Sequence, residues 1–366
     1  MNVLISAGGS GGHINPALAI ADYITSRNKN IHVTFAGTEK GLESKLVPRE
    51  GYPIRFLKVR GFQRRITLKN VDAAIKAVTS QITAKRIIKD TAPDIVIGTG
   101  GHVCFPVLNV AAKMKIPTLI HESNAYPGIT TKILSKSVSR VMISFEESRK
   151  YFAKQENIIY VGNPVKRAFF DVDAKSARAE LSPGKPMILS FGGSLGAQKI
   201  NESAIGFMDQ YAKNKNINHY HATGGAGFSE MSKLFAGKGL PSYGNLHLAE
   251  YFHEIWKYMA AADIIVCRSG ALTLSELAVL RKPAILIPSP YVTENHQYKN
   301  AEVLMKKNAA VIIEEKDLSA ETLAAKIDSL LADPLRLTEM SRNIGRFATG
   351  DTLEKIYDEI MRLYQK

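Results

Sequence analysis

The chain has 366 residues, of which 45% are hydrophobic and 22% charged, with 2 cysteines and a net charge of +14. That length exceeds a typical single core, so two domains are expected, and the ordinary globular composition excludes disordered and disulfide-framework classes. The charge is local: residues 1–162 hold 23 Lys and Arg against 11 Asp and Glu, the remainder 25 against 23, and 55–89 alone carries ten basic residues against Asp72.

In chain order, short apolar runs predict strands at 2–7, 31–37, 54–59, 94–98, 117–121, 138–143 and 158–161. A turn signal follows at Gly162-Asn163-Pro164, and strands resume at 187–191, 217–222, 245–249, 263–267, 283–287 and 309–314. Amphipathic stretches such as 16–27, 71–89, 274–280 and 320–331 lie between them. This alternation predicts an α/β fold of two doubly wound, Rossmann-like domains, each a parallel sheet covered by helices. The expected domains are 1–163, completed by a C-terminal helix within 345–366, and 164–344. The segment 171–186 reads as a connecting region before the second domain's first strand, and 352–366 as a helix that crosses back to the first domain.

No apolar run approaches the ~18 residues of a membrane span, and no secretory signal is expected at the N-terminus. Cys104 and Cys267 give no sign of pairing, which fits a reducing cytoplasm. A basic face as compact as 55–89 calls for an anionic partner. With only Phe56 and Phe62 to stack on bases, a nucleic acid is not that partner. Val71, Ile75, Val78 and Ile82 form one stripe at helical spacing. The expectation is that this stripe packs on the first sheet while the preceding Arg60, Arg64 and Arg65 meet an anionic leaflet.

Three strands run into glycine clusters that open helices: GGSGGH at 8–13, GTGGHV at 98–103 and GGSLGA at 192–197. Glycine lets a ligand approach the backbone, and the N–H groups of a helix start attract phosphate. Three such loops in two halves of the chain point to a nucleotide diphosphate. None continues into Gly-Lys-Ser/Thr, so a Walker A site is excluded, and the first loop does not complete G-x-G-x-x-G. No acidic residue stands out after 31–37 to hold an NAD ribose. His13 closes the first loop, either as a base with a suitable pKa or as a capping and packing group. Glu122 and Asn124 follow the apolar 117–120 at a strand's C-terminal edge, where α/β ligands bind.

Together GGSGGHINPALAIA, GTGGHV-x-x-P, HESNAYPG, GNPVK, FGGSLGAQKIN, CRSGALTLSE and ENHQYKNA resemble the MurG family from residue 1 to at least 301. The resemblance implies a GT-B glycosyltransferase fold with the donor in the C-terminal domain and the acceptor on the N-terminal one, facing a cleft. It implies inverting transfer from UDP-N-acetylglucosamine to the C4 hydroxyl of undecaprenyl-pyrophosphoryl-N-acetylmuramoyl-pentapeptide, for peptidoglycan synthesis and hence cell shape and division. The enzyme would sit peripherally on the anionic inner leaflet of the cell membrane, on the cytoplasmic side, among other cell-wall or division proteins.

The catalytic candidates are His13 and Glu122. On the donor side the resemblance implies Ser10, Gly11, Gly12, Asn124, Lys166, Arg167, Ser194, Asn201, Phe252, Ala271, Leu272, Thr273, Ser275, Glu276, His296 and Gln297. Phe252 would offer its backbone to uracil, Glu276 would accept from ribose hydroxyls, and Gln297 would meet the sugar. Gly100, Gly101 and His102 would lie on the acceptor side. Three positions depart from the family: His102 stands where tyrosine is usual, Lys166 where arginine is usual, and His296-Gln297 replaces a glutamine pair. Lysine lacks the bidentate fork of arginine, so phosphate contact there loosens or moves to Arg167. No His, Cys or carboxylate cluster has metal spacing, so no tightly bound metal or other cofactor is expected. The alternatives are a diacylglycerol-type lipid glycosyltransferase, a UDP-sugar epimerase, or a non-catalytic nucleotide-sugar-binding division protein.

Overall fold

Apolar, β-branched runs become strands wherever both faces can be covered, and the chain forms two wholly parallel sheets. The computed structural model describes residues 1–57, 69–193, 196–213 and 216–365, with backbone alone for 69–78. The first sheet contains β1 (Asn2–Ser6), β2 (His32–Gly37), β3 (Ile54–Phe56), β4 (Ile95–Gly98), β5 (Thr118–Glu122), β6 (Arg140–Ile143) and β7 (Ile158–Tyr160). Its order is β3-β2-β1-β4-β5-β6-β7. The second contains β8 (Met187–Phe191), β9 (Asn218–Ala222), β10 (Leu246–Ala249), β11 (Ile264–Cys267), β12 (Ala284–Leu286) and β13 (Val311–Ile312), in the order β10-β9-β8-β11-β12-β13. Each predicted strand is present, most trimmed by a residue or more at an end.

The order reverses between β1 and β4 in the first sheet and between β8 and β11 in the second. At such a point neighbouring connections leave in opposite directions and open a crevice at the strands' carboxyl ends. The first and second glycine loops flank one crevice, following β1 and β4. The third loop and Arg268-Ser269-Gly270 flank the other, following β8 and β11.

The chain divides into two compact units, Met1–Val165 with Asp351–Lys366, and Lys166–Gly350. The helix Thr352–Tyr364 packs on the helix Gly11–Arg27. Its Ile356 and Ile360 are fully buried among Ile14, Ala17 and Ile20, and Glu359 accepts from Arg140 at 2.6 Å. The connecting region at 171–186, which falls inside the expected second domain 164–344, lies in the second unit and is packed there. Asp173 caps the helix Ala174–Leu181 by accepting from Lys175 N, and Arg178 of that helix donates to Ala261 O and Asp263, each at 2.7 Å.

The helix Lys69–Thr91 corrects the expected packing of the apolar stripe at its one described member. Val71, Ile75 and Val78 lie outside the residues whose side chains are described, as do Arg60, Arg64 and Arg65. Ile82 is 51% exposed, whereas Ser80, Ala84, Ile87 and Ile88 are buried. Ile82 stands about 200° round the helix from Ala84, so packing one face on the sheet turns the other outward.

Candidate active site

In the first unit, β1 ends at Ser6, and Ser10 in extended conformation starts the helix Gly11–Arg27. Gly11 and Gly12 form its first turn, with Gly12 exposed. The His13 imidazole turns back so that Nδ1 lies 3.1 Å from Gly8 O and 3.5 Å from Ser10 Oγ. A carbonyl can only accept, so Nδ1 carries the proton and the lone pair is on Nε2. In that tautomer Nε2 is the nitrogen of the ring that can accept a proton. Thr99 Oγ1 donates to His13 O at 2.7 Å, which couples the first helix to the second loop.

The second loop is laid directly on these groups. Gly100 has φ +111°, and a Cβ there would stand 2.5 Å from His13 Cδ2. Gly101, at φ +88°, would bring a Cβ to 2.2 Å from Gly8 O. Neither position admits a side chain, so the two loops touch backbone to backbone beside the imidazole. His102 is half-buried, and burial pulls its pKa down against an opposing pull from Glu43.

Glu43 is a site residue that sequence reasoning missed. It is fully buried, accepts from Gly9 N at 3.2 Å through Oε2, and accepts from Thr38 N at 2.9 Å and Thr38 Oγ1 at 2.6 Å through Oε1. Burial pushes its carboxyl up, but the bonds from Thr38 and Gly9 outweigh that and leave it lowered. The available signal was its place, shortly after β2 and next to a glycine-rich turn. A search for an acid at the very end of β2 passes over it.

Glu122 ends β5 and is buried. Its Oε1 accepts from Asn124 N at 3.0 Å and Nδ2 at 3.1 Å, and its Oε2 accepts from Gly128 N at 3.0 Å. Beneath this turn His121, Ser144 and Asn163 form a buried network. Ser144 donates to Asn163 Oδ1 at 2.9 Å, and Asn163 Nδ2 donates to Ser123 O at 3.2 Å.

In the second unit, the third loop leaves β8 with positive φ at Gly193 and Gly196, and the helix Gln198–Tyr211 follows. Ser194 lies outside the described residues. Asn201 is 1% exposed, and its amide is spent inside the protein on Thr223 and His221. The helix Ala271–Leu280 begins directly after Gly270. Ala271 is buried, whereas Leu272, Thr273 and Ser275 keep part of their surface. Glu276, on the same helix, has its carboxyl pushed up to about 7 by burial, with the Lys166 cation pulling the other way. Arg167 instead pairs with Asp171 at 3.0 Å on the surface. Of the two cations, Lys166 is thus the one that acts on Glu276.

Ser269 joins this helix to the helix His296–Met305 by donating to Gln297 O at 2.8 Å. Gln297 Oε1 accepts from Ser289 N at 2.9 Å, which orients its amide, with His296 next to it. Phe252 stacks on Tyr258 with ring centroids 4.2 Å apart, fixing the turn before the helix Ile255–Ala261. A cavity of about 780 Å³ opens beside Ala197, Gln198 and Arg268. Among the described residues, no group of three His, Cys, Asp or Glu side chains is arranged to hold a metal ion.

The pattern described as glycosyltransferase family 28 N-terminal domain matches residues 3–143, and the family 28 C-terminal domain matches 187–356. The UDP-N-acetylglucosamine–N-acetylmuramyl-(pentapeptide) pyrophosphoryl-undecaprenol N-acetylglucosamine transferase of Acetivibrio thermocellus is 44% identical over 98% of this chain and 97% of its own. The enzyme of that name from Ruminiclostridium cellulolyticum is 44% identical over 99% of this chain and 100% of its own. The solved structure of MurG from Acinetobacter baumannii superposes with a TM-score of 0.79 at 27% identity, covering 99% of each chain. The two parallel sheets are thus those of a GT-B glycosyltransferase, and the chain belongs to the MurG family of N-acetylglucosamine transferases within glycosyltransferase family 28.

Proposed function

We propose that this chain transfers N-acetylglucosamine from UDP-N-acetylglucosamine to undecaprenyl-pyrophosphoryl-N-acetylmuramoyl-pentapeptide, lipid I, giving lipid II for peptidoglycan synthesis. The observation that carries this reading is 44% identity over 98% of the chain to a transferase named for that reaction. The acceptor C4 hydroxyl attacks the anomeric carbon, UDP departs, and the configuration inverts in one displacement. His13 takes the hydroxyl proton at Nε2, the nitrogen that the Nδ1–Gly8 contact makes basic. Glu122, already accepting three N–H bonds, serves by holding Asn124 and the turn at Gly128 in shape.

Leaving-group charge falls to backbone amides of the third loop, to the N-terminus of the helix Ala271–Leu280 and to Lys166. Glu276 accepts from ribose hydroxyls, the backbone at Phe252 meets uracil, and Gln297 with His296 and Asn124 meets sugar hydroxyls. Gly100, Gly101 and His102 face the acceptor.

Attachment to the anionic cytoplasmic leaflet is peripheral in this reading. Among the described residues no helix is long and apolar enough to cross a membrane. Ile82, Ile129 and Ile133 are each at least half exposed, and Lys85, Arg86, Lys89, Lys132 and Lys136 are their neighbours in sequence. Apolar groups that enter the interface beside cations that attract anionic lipid support such docking.

The decisive experiment offers a lipid I analogue with UDP-N-acetylglucosamine and with UDP-glucose, in the presence and absence of EDTA. The expected result is transfer from the N-acetylated donor that survives chelation. Equal use of UDP-glucose overturns the donor assignment. Loss of activity with EDTA, restored by manganese alone, overturns the metal-free reaction. Salt-sensitive sedimentation with anionic vesicles, weakened in Arg60→Glu/Arg64→Glu/Arg65→Glu, tests the membrane face.

A further inference from the structure

Beneath the third glycine loop lies a row of buried polar side chains that the reaction itself does not use. His219 and His221 lie on β9, and Ser190 on β8 is the direct register partner of His221. Asn201 reaches them from the helix Gln198–Tyr211. His219, His221, Ser190, Asn201 and Thr223 are all at most 1% exposed.

The direction of every bond in this row follows from one carbonyl and from the neutrality of the two rings. Thr223 O can only accept, so the Asn201 group 3.0 Å from it is the amide nitrogen. The amide oxygen then faces His221 Nε2 at 3.1 Å, so that nitrogen carries a proton. Burial holds His221 down at about 4 and His219 well below its ordinary value, so both rings are neutral at working pH. His221 Nδ1 is therefore bare and accepts from Ser190 Oγ at 2.7 Å. Its 3.1 Å approach to Ser190 O would be a bond only with a proton on Nδ1. With its own proton spent, Ser190 Oγ accepts from His219 Nε2 at 2.7 Å. His219 Nδ1 is then bare too, and it is buried without a hydrogen-bond partner among the described residues. Four bonds thus run one way, from His219 through Ser190, His221 and Asn201 to Thr223.

The end of the row is the floor of the loop. A Cβ on Gly196 would stand 2.2 Å from Thr223 O, and one on Gly227 would stand 2.7 Å from Asn201 Nδ2. Both turns are laid on the last bond of the chain. We propose that His221 is a positioning residue for the nucleotide-sugar diphosphate: through Asn201 it locks the Thr223 carbonyl against which the third glycine loop is seated. Without a donor at Nε2 the Asn201 amide is free to rotate, and the loop loses the surface that spaces its N–H groups. The identity of the ligand rests on the transferase reading; the bond directions do not.

The test has two arms. In the first, His221→Leu removes the donor, while His221→Gln keeps an N–H near the place of Nε2. His221→Leu is expected to raise KM for UDP-N-acetylglucosamine and weaken UDP binding by about tenfold, with KM for lipid I within about twofold, and His221→Gln to restore donor KM to within about threefold. In the second, ¹⁵N-histidine NMR of the unmodified protein is expected to find both rings neutral with the proton on Nε2. A folded His221→Leu variant with unchanged UDP binding overturns the proposal, and so does a proton on Nδ1 of His221. Where His221→Leu does not fold, the tautomer alone decides. UDP binding is read directly, so absent transfer in the unmodified protein would count against the transferase reading and leave the row to be judged by its own result.

Discussion

The first and third glycine loops look alike in sequence but are held in different ways. Gly9 N–H in the first loop is already taken by the buried Glu43 carboxylate, and two titratable imidazoles, His13 and His102, adjoin it. The third loop rests on a row of neutral groups that ends at Thr223 O. A loop backed by a carboxylate and flanked by histidines is suited to moving a proton. A loop backed by neutral dipoles is suited to an anion, because none of the groups in that row carries a negative charge. Glycine at a strand end thus serves two kinds of site, and the groups behind the loop decide which.

The widest separation of the two sites should come from His13→Ala. Loss of a general base lowers turnover by about 10²–10⁴, and UDP affinity should stay as it is because the residue belongs to the first unit. Steady-state kinetics beside UDP calorimetry measures both; near-normal turnover would leave His13 a packing group.

Glu43→Ala comes next. It strips a buried acceptor from three donors, which should destabilise the protein by about 3 kcal/mol and depress turnover, read by urea unfolding and kinetics. Glu43→Gln should recover part of both. The lowered carboxyl also fixes a sign. Its contribution is present above the ordinary value of 4.5 and is lost as pH falls through the lower folded value. The glutamine variant should lack that acid limb, and identical acid unfolding of the two proteins would contradict the assignment.

Gln297→Ala probes the other site. One lost hydrogen bond to the sugar should reduce kcat/KM for UDP-N-acetylglucosamine by about tenfold and leave UDP itself bound as before. Weakened UDP binding would move this residue from the sugar to the nucleotide.

The smallest effect belongs to Glu276. Its carboxyl is raised to about 7, so the free protein should lose stability as pH rises from about 4.5 to about 7, where folding retains a proton that the unfolded chain releases. Over pH 6–8 the ionised form grows and accepts ribose hydroxyls better. UDP affinity should therefore rise by about fivefold, and Glu276→Gln should flatten that rise. A pH-independent affinity in the unmodified protein would remove Glu276 from the ribose.

The sequence by itself determined the α/β class, the positions of thirteen strands and the three loops. These are local properties: apolar runs bounded by glycine and polar turns leave little choice about where a strand stops. It also determined the family, because motifs spread from 8 to 301 recur in order. What it left undetermined depends on which groups meet across long separations. Helical spacing defines a stripe at Ile82 but does not say which side of the helix meets the sheet; packing of Ala84, Ile87 and Ile88 turned Ile82 outward. The segment 171–186 reads as a connecting region before β8, and its packing depends on Arg178 reaching Ala261 and Asp263, more than eighty residues on. Glu43 is unremarkable in its own segment and becomes part of the site only because the fold brings Gly9 to it. The tautomer of His221 belongs wholly to the tertiary structure, since a ring nitrogen takes its protonation from the hydroxyl or amide the folded chain places opposite it.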